Sequence, residues 1–125
     1  MQVGGFAGFN GYAGKAGTID QCFADANVSG KMNVGGFVGK AEKGTISNSY
    51  ALGSIKANSN EKIGGFAGIL ASPSQLNNVY VSADVNANSG GAVAGWKGSS
   101  FSTPGEVING YYNSEKAKPA TEMQE

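Results

Sequence analysis

The sequence predicts an all-β fold, a parallel β-helix or β-solenoid of about four coils, with three short strands in each coil of 27–31 residues. A glycine-rich apolar motif recurs at spacings of 31, 29 and 27 residues; its copies begin at Val3, Val34, Ile63 and, in a weaker form, Gly90. A second motif of β-branched and aromatic residues follows each copy; it begins at Thr18, Thr45, Gln75 and Glu106. Two linked motifs at one period indicate stacked repeats, in which each unit buries its apolar face against its neighbours.

The coil at residues 34–62 shows the expected order of elements. Its glycine-rich run at 34–39 predicts a closely packed strand, and the polar run that ends at Gly44 predicts a turn. Residues 45–51 alternate with a period of two, which predicts a second strand. A turn at Leu52–Gly53 then separates it from a third strand at 54–57, and residues 58–62 are expected to form a polar loop.

The same pattern divides the chain into coils at about 3–33, 34–62, 63–89 and 90–113, which together make a solenoid domain at 1–113. Residues 114–125 lack the motif and are expected to form a polar tail or linker. Helices are disfavoured because glycine and β-branched residues occur throughout. Since the chain opens directly inside a repeat, we expect it to be an excised fragment of a longer protein.

Stacking places equivalent residues of successive repeats about 4.8 Å apart, and we call each such set a column. Burial of apolar columns is expected to dominate stability. One expected aliphatic column comprises Ile19, Ile46, Leu76 and Val107, and a second comprises Val28, Ile55 and Val85. The aromatic column comprises Phe23, Tyr50, Tyr80 and Tyr111, and the column of the glycine-rich strand comprises Phe6, Phe37, Phe66 and Val93.

A polar column accompanies these, formed by Gln21, Asn48, Asn78 and Asn109. On the inward face its amides are expected to donate and accept hydrogen bonds along the stack, as in the amide ladders of cross-β structures. A buried amide without a partner would cost about 1–3 kcal/mol. We therefore expect replacement of Asn48 by leucine to be more harmful than replacement of the terminal Gln21.

Composition argues against several functional classes. The chain has no histidine and no arginine, and its nine lysines balance nine acidic residues. The sequence therefore predicts no nucleic-acid partner, no membrane insertion and no histidine-dependent catalysis. It also predicts no metal and no cofactor, because the single Cys22 and the missing histidines cannot form a zinc site. Cys22 is interpreted as a small, tolerated residue in the column of Ser49 and Val79.

The second coil resembles the GLUG motif in Val34-Gly35-Gly36-Phe37-Val38-Gly39 followed by Gly44-Thr45-Ile46-Ser47-Asn48-Ser49-Tyr50-Ala51-Leu52-Gly53-Ser54-Ile55. This repeat occurs in bacterial surface and secreted proteins, including haemagglutinin-type adhesins and immunoglobulin A proteases. The resemblance extends over residues 3 to about 114, with phenylalanine at Phe6, Phe37 and Phe66 where the motif usually has leucine. It implies an extracellular bacterial β-solenoid, and it brings no catalytic residues.

Three functions remain open from the sequence. The first is a non-enzymatic structural or adhesive module of a larger cell-surface or secreted protein, acting as a stalk or binding a host protein or glycan in virulence. The second is an accessory region of a secreted immunoglobulin A-type metalloprotease. The third is a carbohydrate-binding or carbohydrate-active β-helix, with loop aromatics as sugar contacts; these are Phe9, Tyr12, Trp96 and Phe101.

We expect no enzymatic activity, because no column stacks carboxylates; Asp25, for example, shares its column with Leu52 and Ser82. The open strand edge at Val3–Phe9 predicts weak end-to-end self-association of the fragment.

Overall fold

The protein is described by a computed structural model at residues 2–11, 15–86, 91, 94–97 and 105–113, without the side chains of 58–61 and 94–97. Ten strands form within these ranges. They are β1 (Val3–Gly4), β2 (Ala7–Asn10), β3 (Gly17–Asp20), β4 (Phe23–Gly35), β5 (Val38–Ala41), β6 (Gly44–Gly64), β7 (Ala67–Leu70), β8 (Ser74–Asn86), β9 (Ala94–Lys97) and β10 (Glu106–Tyr112).

The strands build two parallel sheets. Sheet A has the order β1-β4-β6-β8-β10, with β3 also paired to β6, and sheet B has the order β2-β5-β7-β9. Every pairing joins equivalent positions of successive repeats, so that Ile46 lies between Ile19 and Leu76. The predicted all-β class with parallel strands is confirmed.

The strands of sheet A are longer than the sequence predicted. β6 runs without a break through the expected turn at Leu52–Gly53 and the expected loop at 58–62. Gly53 has a φ of 99°, which bends the strand in a conformation that glycine adopts readily. Pairing with β8 continues on both sides of Gly53, which lies opposite Ala83. The prediction of three short, separate strands is therefore wrong for this repeat.

The core lies between the inward faces of the sheets. Its largest side chains that are less than 2% exposed are Phe37, Phe66, Ile46, Ile55, Ile63, Leu70, Leu76, Val34, Val38, Val79 and Val81. The expected burial of the aliphatic column holds for Ile46 and Leu76, whereas Ile19 and Val107 are half-buried. The second aliphatic column follows the same pattern: Val28 and Ile55 are buried and Val85 is half-buried.

The phenylalanines of the glycine-rich motif form a continuous stack. Ring centroids are 4.8 Å apart between Phe6 and Phe37 and 4.6 Å apart between Phe37 and Phe66, with nearly parallel planes. Phe6 is 47% exposed, so the expected burial fails at this end of the column. The reason is positional: Phe37 lies between two rings, while Phe6 lies in the first repeat.

Glycine allows this close stacking of repeats. A Cβ added to Gly36 would lie 2.2 Å from the Gly65 carbonyl oxygen, and one added to Gly5 would lie 2.4 Å from that of Gly36. Any side chain at these positions would push neighbouring backbones apart.

Within the part of the chain that the structure describes, no helix has the length and apolar character needed to cross a membrane. The predicted tail at 114–125 and the Val93 position lie outside the described residues. The predicted domain boundaries stay predictions.

Candidate binding surface

A left-handed residue marks a corner in each repeat of sheet A. The φ angles are 54° at Gln21, 50° at Asn48, 55° at Asn78 and 56° at Asn109. Asparagine adopts this region more readily than other residues with a Cβ, since its short polar side chain can hydrogen-bond locally. The recurrence of asparagine in this column therefore has a backbone cause.

This corner changes which side chains face the core. A regular strand would place Ile46, Asn48 and Tyr50 on one face. Instead, Ile46 is buried, Asn48 and Tyr50 are exposed, and Ser49 and Ala51 are buried. A one-residue change of phase moves a whole set of side chains to the other face.

The amide column forms a hydrogen-bonded ladder on the exposed surface. Asn109 Nδ2 donates to Asn78 Oδ1 at 3.0 Å, and Asn78 Nδ2 donates to Asn48 Oδ1 at 3.1 Å. Asn48 Nδ2 then donates to Asp20 Oδ1 at 3.0 Å. The expected inward orientation is wrong for this column, because the amides lie at the corner and face solvent.

Asp20 accepts the last hydrogen bond of this ladder, where the sequence led us to expect Gln21. Its Oδ1 also accepts a hydrogen bond from the Ser47 hydroxyl at 3.0 Å. Among the described residues, the Gln21 side chain makes no hydrogen bond; only its backbone N–H donates, to the Ser47 carbonyl at 3.1 Å.

The aromatic column is exposed, which corrects the expectation that it is part of the core. The exposed fractions are 58% for Phe23, 39% for Tyr50, 43% for Tyr80 and 44% for Tyr111. The strands hold these residues in register, with Tyr80 paired to both Tyr50 and Tyr111. The rings of Phe23 and Tyr50 stack face to face, with centroids 5.2 Å apart and planes 8° apart.

The exposed surface therefore combines two adjacent columns. We define the aromatic–amide face as the aromatic column together with the neighbouring corner column; its members are Phe23, Tyr50, Tyr80, Tyr111, Gln21, Asn48, Asn78 and Asn109. It offers apolar ring area, tyrosine hydroxyls and amide groups in regular rows. Isolated exposed aromatics are common, but these four form one contiguous exposed row, which makes this face the candidate binding surface.

The inward neighbours of this face are small in the first two repeats. Ser49 is 2% exposed; its Oγ donates to the Ser47 carbonyl at 2.7 Å and accepts from the Cys22 N–H at 3.3 Å. The half-buried Cys22 thiol lies 3.3 Å from the Asp20 carbonyl oxygen. Cys22 thus sits in the column of Ser49 and Val79, on the inward side of the corner.

Of the loop aromatics considered as sugar contacts, Phe9 has a described side chain. Phe9 is half-buried in an open groove of sheet B, with Lys40 Nζ 5.2 Å from its ring centroid. The same ammonium is 2.9 Å from a Glu42 carboxylate oxygen. Tyr12 and Phe101 lie outside the described residues, and only the backbone of Trp96 is described, on β9.

The acidic residues on the described strands of sheet A, such as Asp20, Asp25, Asp84 and Glu106, lie in separate columns. In the pairing of β6 with its neighbours, Asp25 lies opposite Leu52 and Asp84 lies opposite Ser54. No group of three metal-ligating side chains occurs within the described ranges.

Sequence reasoning missed the exposure of the aromatic–amide face. The signal that could have revealed it is the asparagine in each later repeat, which is the residue with a Cβ best suited to a left-handed corner. The small residues Ser49 and Ala51 beside Tyr50 are a second signal, because they are what the corner turns inward.

Comparison with protein families finds the GLUG motif at residues 1–29 and again at 30–56. These two segments cover the first two repeats, so the resemblance identified from the sequence is confirmed there: the chain carries GLUG-motif repeats. Neither the curated proteins nor the solved structures include a match to this chain.

Proposed function

We propose that this chain is a non-enzymatic adhesive module of a larger bacterial cell-surface or secreted protein, and that its aromatic–amide face binds a host protein. The observation that carries the proposal is the exposed aromatic column, whose members are held in register through four successive repeats. Core packing does not explain side chains that are 39–58% exposed.

The proposed architecture is a β-solenoid of about four coils. It is supported by the parallel pairing of each strand with its equivalent one repeat away, in both sheets and in the same order. In such a stack every added repeat extends the aromatic–amide face by one row. Each added repeat would then increase both the length of the module and its binding area. Both properties are useful in a stalk and in an adhesive surface.

The proposed ligand is a polypeptide surface rather than a glycan. Sugars pack against the faces of aromatic rings, but the faces of Phe23 and Tyr50 that meet are covered by each other. Apart from the outer face of Phe23, this stack presents ring edges and the Tyr50 hydroxyl. Tyrosine in this setting is enriched at protein interfaces, because it combines apolar area with a polar tip.

The proposed absence of catalysis is supported by the placement of the carboxylates. Glycoside hydrolysis needs two carboxyl groups about 5–10 Å apart across one bond. Asp25 and Asp84 instead pair with Leu52 and Ser54, and each lies in a different column. The proposed location is extracellular, on the bacterial surface or secreted, which rests on the GLUG-motif repeats.

Binding to immobilised host matrix and mucosal glycoproteins, in intact and enzymatically deglycosylated form, tests this function. We expect binding to both forms, and a loss of at least about tenfold in affinity for the double variant Tyr50→Ser/Tyr80→Ser, since tyrosines at interface centres often contribute 2 kcal/mol or more. Lys56→Ser is the matched control, because Lys56 is exposed on the same strand beyond the Gly53 bend.

Three results would contradict the proposal. If the chain bound none of the immobilised host proteins, the proposed adhesive role would be contradicted. Loss of binding on deglycosylation would show that the ligand is the glycan and not the polypeptide. Equal weakening by Lys56→Ser and the double tyrosine variant would show that the aromatic–amide face is not the contact.

A further inference from the structure

The aromatic–amide face lies within a stretch of sheet A that carries only negative charge. The stretch comprises equivalent segments of four repeats, at residues 18–27, 45–54, 75–84 and 106–112. These segments contain no lysine and no arginine, and their four acidic residues are Asp20, Asp25, Asp84 and Glu106. The chain as a whole has no net charge, so the charge of this stretch is balanced elsewhere in the chain.

The four carboxylates lie on both sides of the aromatic column and are all exposed. Asp20 and Glu106 come before the left-handed corner of their repeats, whereas Asp25 and Asp84 come after the aromatic position. Asp25 follows Phe23 by two residues on one strand, with a buried residue between them, so both side chains face outward. A ligand that contacts the rings therefore lies between carboxylates.

These carboxylates have no cationic partner within the described part of the chain. None of them takes part in a described ion pair. Asp20 Oδ1 accepts hydrogen bonds from Ser47 and Asn48, and Glu106 Oε2 accepts one from Gln75 Nε2 at 2.9 Å. Neutral donors thus hold two of the carboxylates in position, and their charge is left for a ligand.

Lysine and arginine side chains of a ligand suit this arrangement. Their apolar stems pack against ring edges while their charged ends reach a neighbouring polar group. Aromatic rings attract such cations, and tyrosine hydroxyls and asparagine carbonyl oxygens accept hydrogen bonds from them. An acidic segment would instead meet four carboxylates without a compensating cation. The charge of the face therefore favours a basic ligand.

The spacing of the carboxylates requires a ligand with more than one cation. Asp20 and Glu106 belong to the first and fourth repeats, which are three steps of about 4.8 Å apart, or about 14 Å along the stack. An extended polypeptide advances about 3.4 Å per residue, so a segment of about five residues covers this distance. One basic side chain reaches a single carboxylate at a time, whereas such a segment contacts several.

We infer that the aromatic–amide face recognises an extended polypeptide segment with several lysine or arginine residues, whose cationic groups contact the four carboxylates. This rests on the function proposed above and adds the charge of the host protein segment that is bound. The rings supply apolar contact, and the carboxylates select by charge and accelerate association at low salt. Binding should weaken as ionic strength rises, because salt screens exposed charge pairs.

Fluorescence anisotropy with labelled peptides of equal length tests this specificity. The peptides alternate serine with arginine, with glutamine or with glutamate. We expect the arginine peptide to bind most tightly and its affinity to fall with added salt. Asp25→Asn and Asp84→Asn should each weaken its binding about twofold to fivefold, and the double variant should weaken it further, since each removes one exposed charge pair.

Glu42→Gln is the matched control for these variants. It also replaces a carboxylate by an amide, but Glu42 lies outside the acidic stretch and pairs with Lys40. We expect this variant to bind the arginine peptide as the wild type does. Equal weakening by Glu42→Gln and Asp25→Asn would contradict the inference, as would an arginine peptide that binds no more tightly than the glutamine peptide.

Host-protein binding separates the basic specificity from the adhesive function itself. Binding that depends on Tyr50 and Tyr80 but not on salt, Asp25 or Asp84 would support the adhesive function and overturn the basic specificity. Absence of host-protein binding, together with binding of the arginine peptide that depends on Asp25 and Asp84, would overturn the adhesive function and support the basic specificity.

Discussion

Two aromatic columns run through the same repeats and differ in what surrounds them. The column of Phe6, Phe37 and Phe66 follows the glycine pairs and is buried in its interior, whereas the column of Phe23, Tyr50, Tyr80 and Tyr111 faces solvent. Both recur with the same period and both are held in register. Periodic recurrence thus identifies a column but does not show whether it faces the core.

The difference between the columns comes from the backbone next to each. The glycine pairs let adjacent repeats approach closely, with Gly36 against the Gly65 carbonyl oxygen, and Phe37 and Phe66, which follow them in the chain, are fully buried. The left-handed residue at Asn48 shifts the phase of its strand, so Ser49 turns inward and Tyr50 outward. The first column stabilises the fold, and the second is available for binding.

Truncation of one ring in each column is expected to give the largest difference in stability between two variants. Phe66→Ala removes a fully buried side chain and is expected to lower the free energy of unfolding by about 3–5 kcal/mol. Tyr80→Ala removes a ring that is 43% exposed and should cost about 1 kcal/mol. Urea denaturation measures both values. Similar losses in the two variants would contradict the assignment of one column to the core and the other to the surface.

Substitution of the corner residue tests what places the tyrosines outside. Asn48→Leu puts a side chain that disfavours positive φ at 50° and removes two ladder hydrogen bonds, for an expected loss of about 2–3 kcal/mol. Asn48→Gly keeps the left-handed backbone and should lose about 1 kcal/mol. Gln21→Leu should change stability by less than about 0.5 kcal/mol, because the Gln21 side chain has no described partner.

Thermal unfolding of these three variants ranks them. If Asn48→Leu and Asn48→Gly were equally destabilised, the positive φ at position 48 would contribute nothing to the stability lost in the leucine variant. If Asn48→Leu matched Gln21→Leu, the ladder would contribute nothing.

The end of the ladder gives the smallest expected effect. Asp20→Ala removes the acceptor of hydrogen bonds from Ser47 and Asn48 and should lower stability by about 0.5–1 kcal/mol, since both bonds are exposed. Asp25→Ala is the control, an exposed carboxylate in the next strand segment, with an expected change within about 0.5 kcal/mol. Differential scanning calorimetry at low salt compares them, and an equal effect would show that Asp20 does not complete the ladder.

The predictions from sequence agree with the structure where they depend only on which residues recur at equivalent positions of the repeats. The alignment of Ile19 with Ile46 and of Tyr50 with Tyr80 follows from the repeat, and the structure pairs these residues. The period-two reading failed after Asn48 because it assumed a regular strand, and a left-handed residue breaks that regularity. The exposure of Phe6 was missed for a different reason, since a column is buried only where it has neighbours on both sides.

The sequence by itself determined the repeat length, the parallel all-β class and the membership of each column, because all three depend on recurrence along the chain. Only the tertiary structure decided which columns face the core. That choice depends on backbone angles at single positions, such as Asn48 and Gly53, and on which repeats have a neighbour at each edge. One left-handed residue in each repeat, with φ between 50° and 56°, turned a predicted core column into the surface proposed for binding.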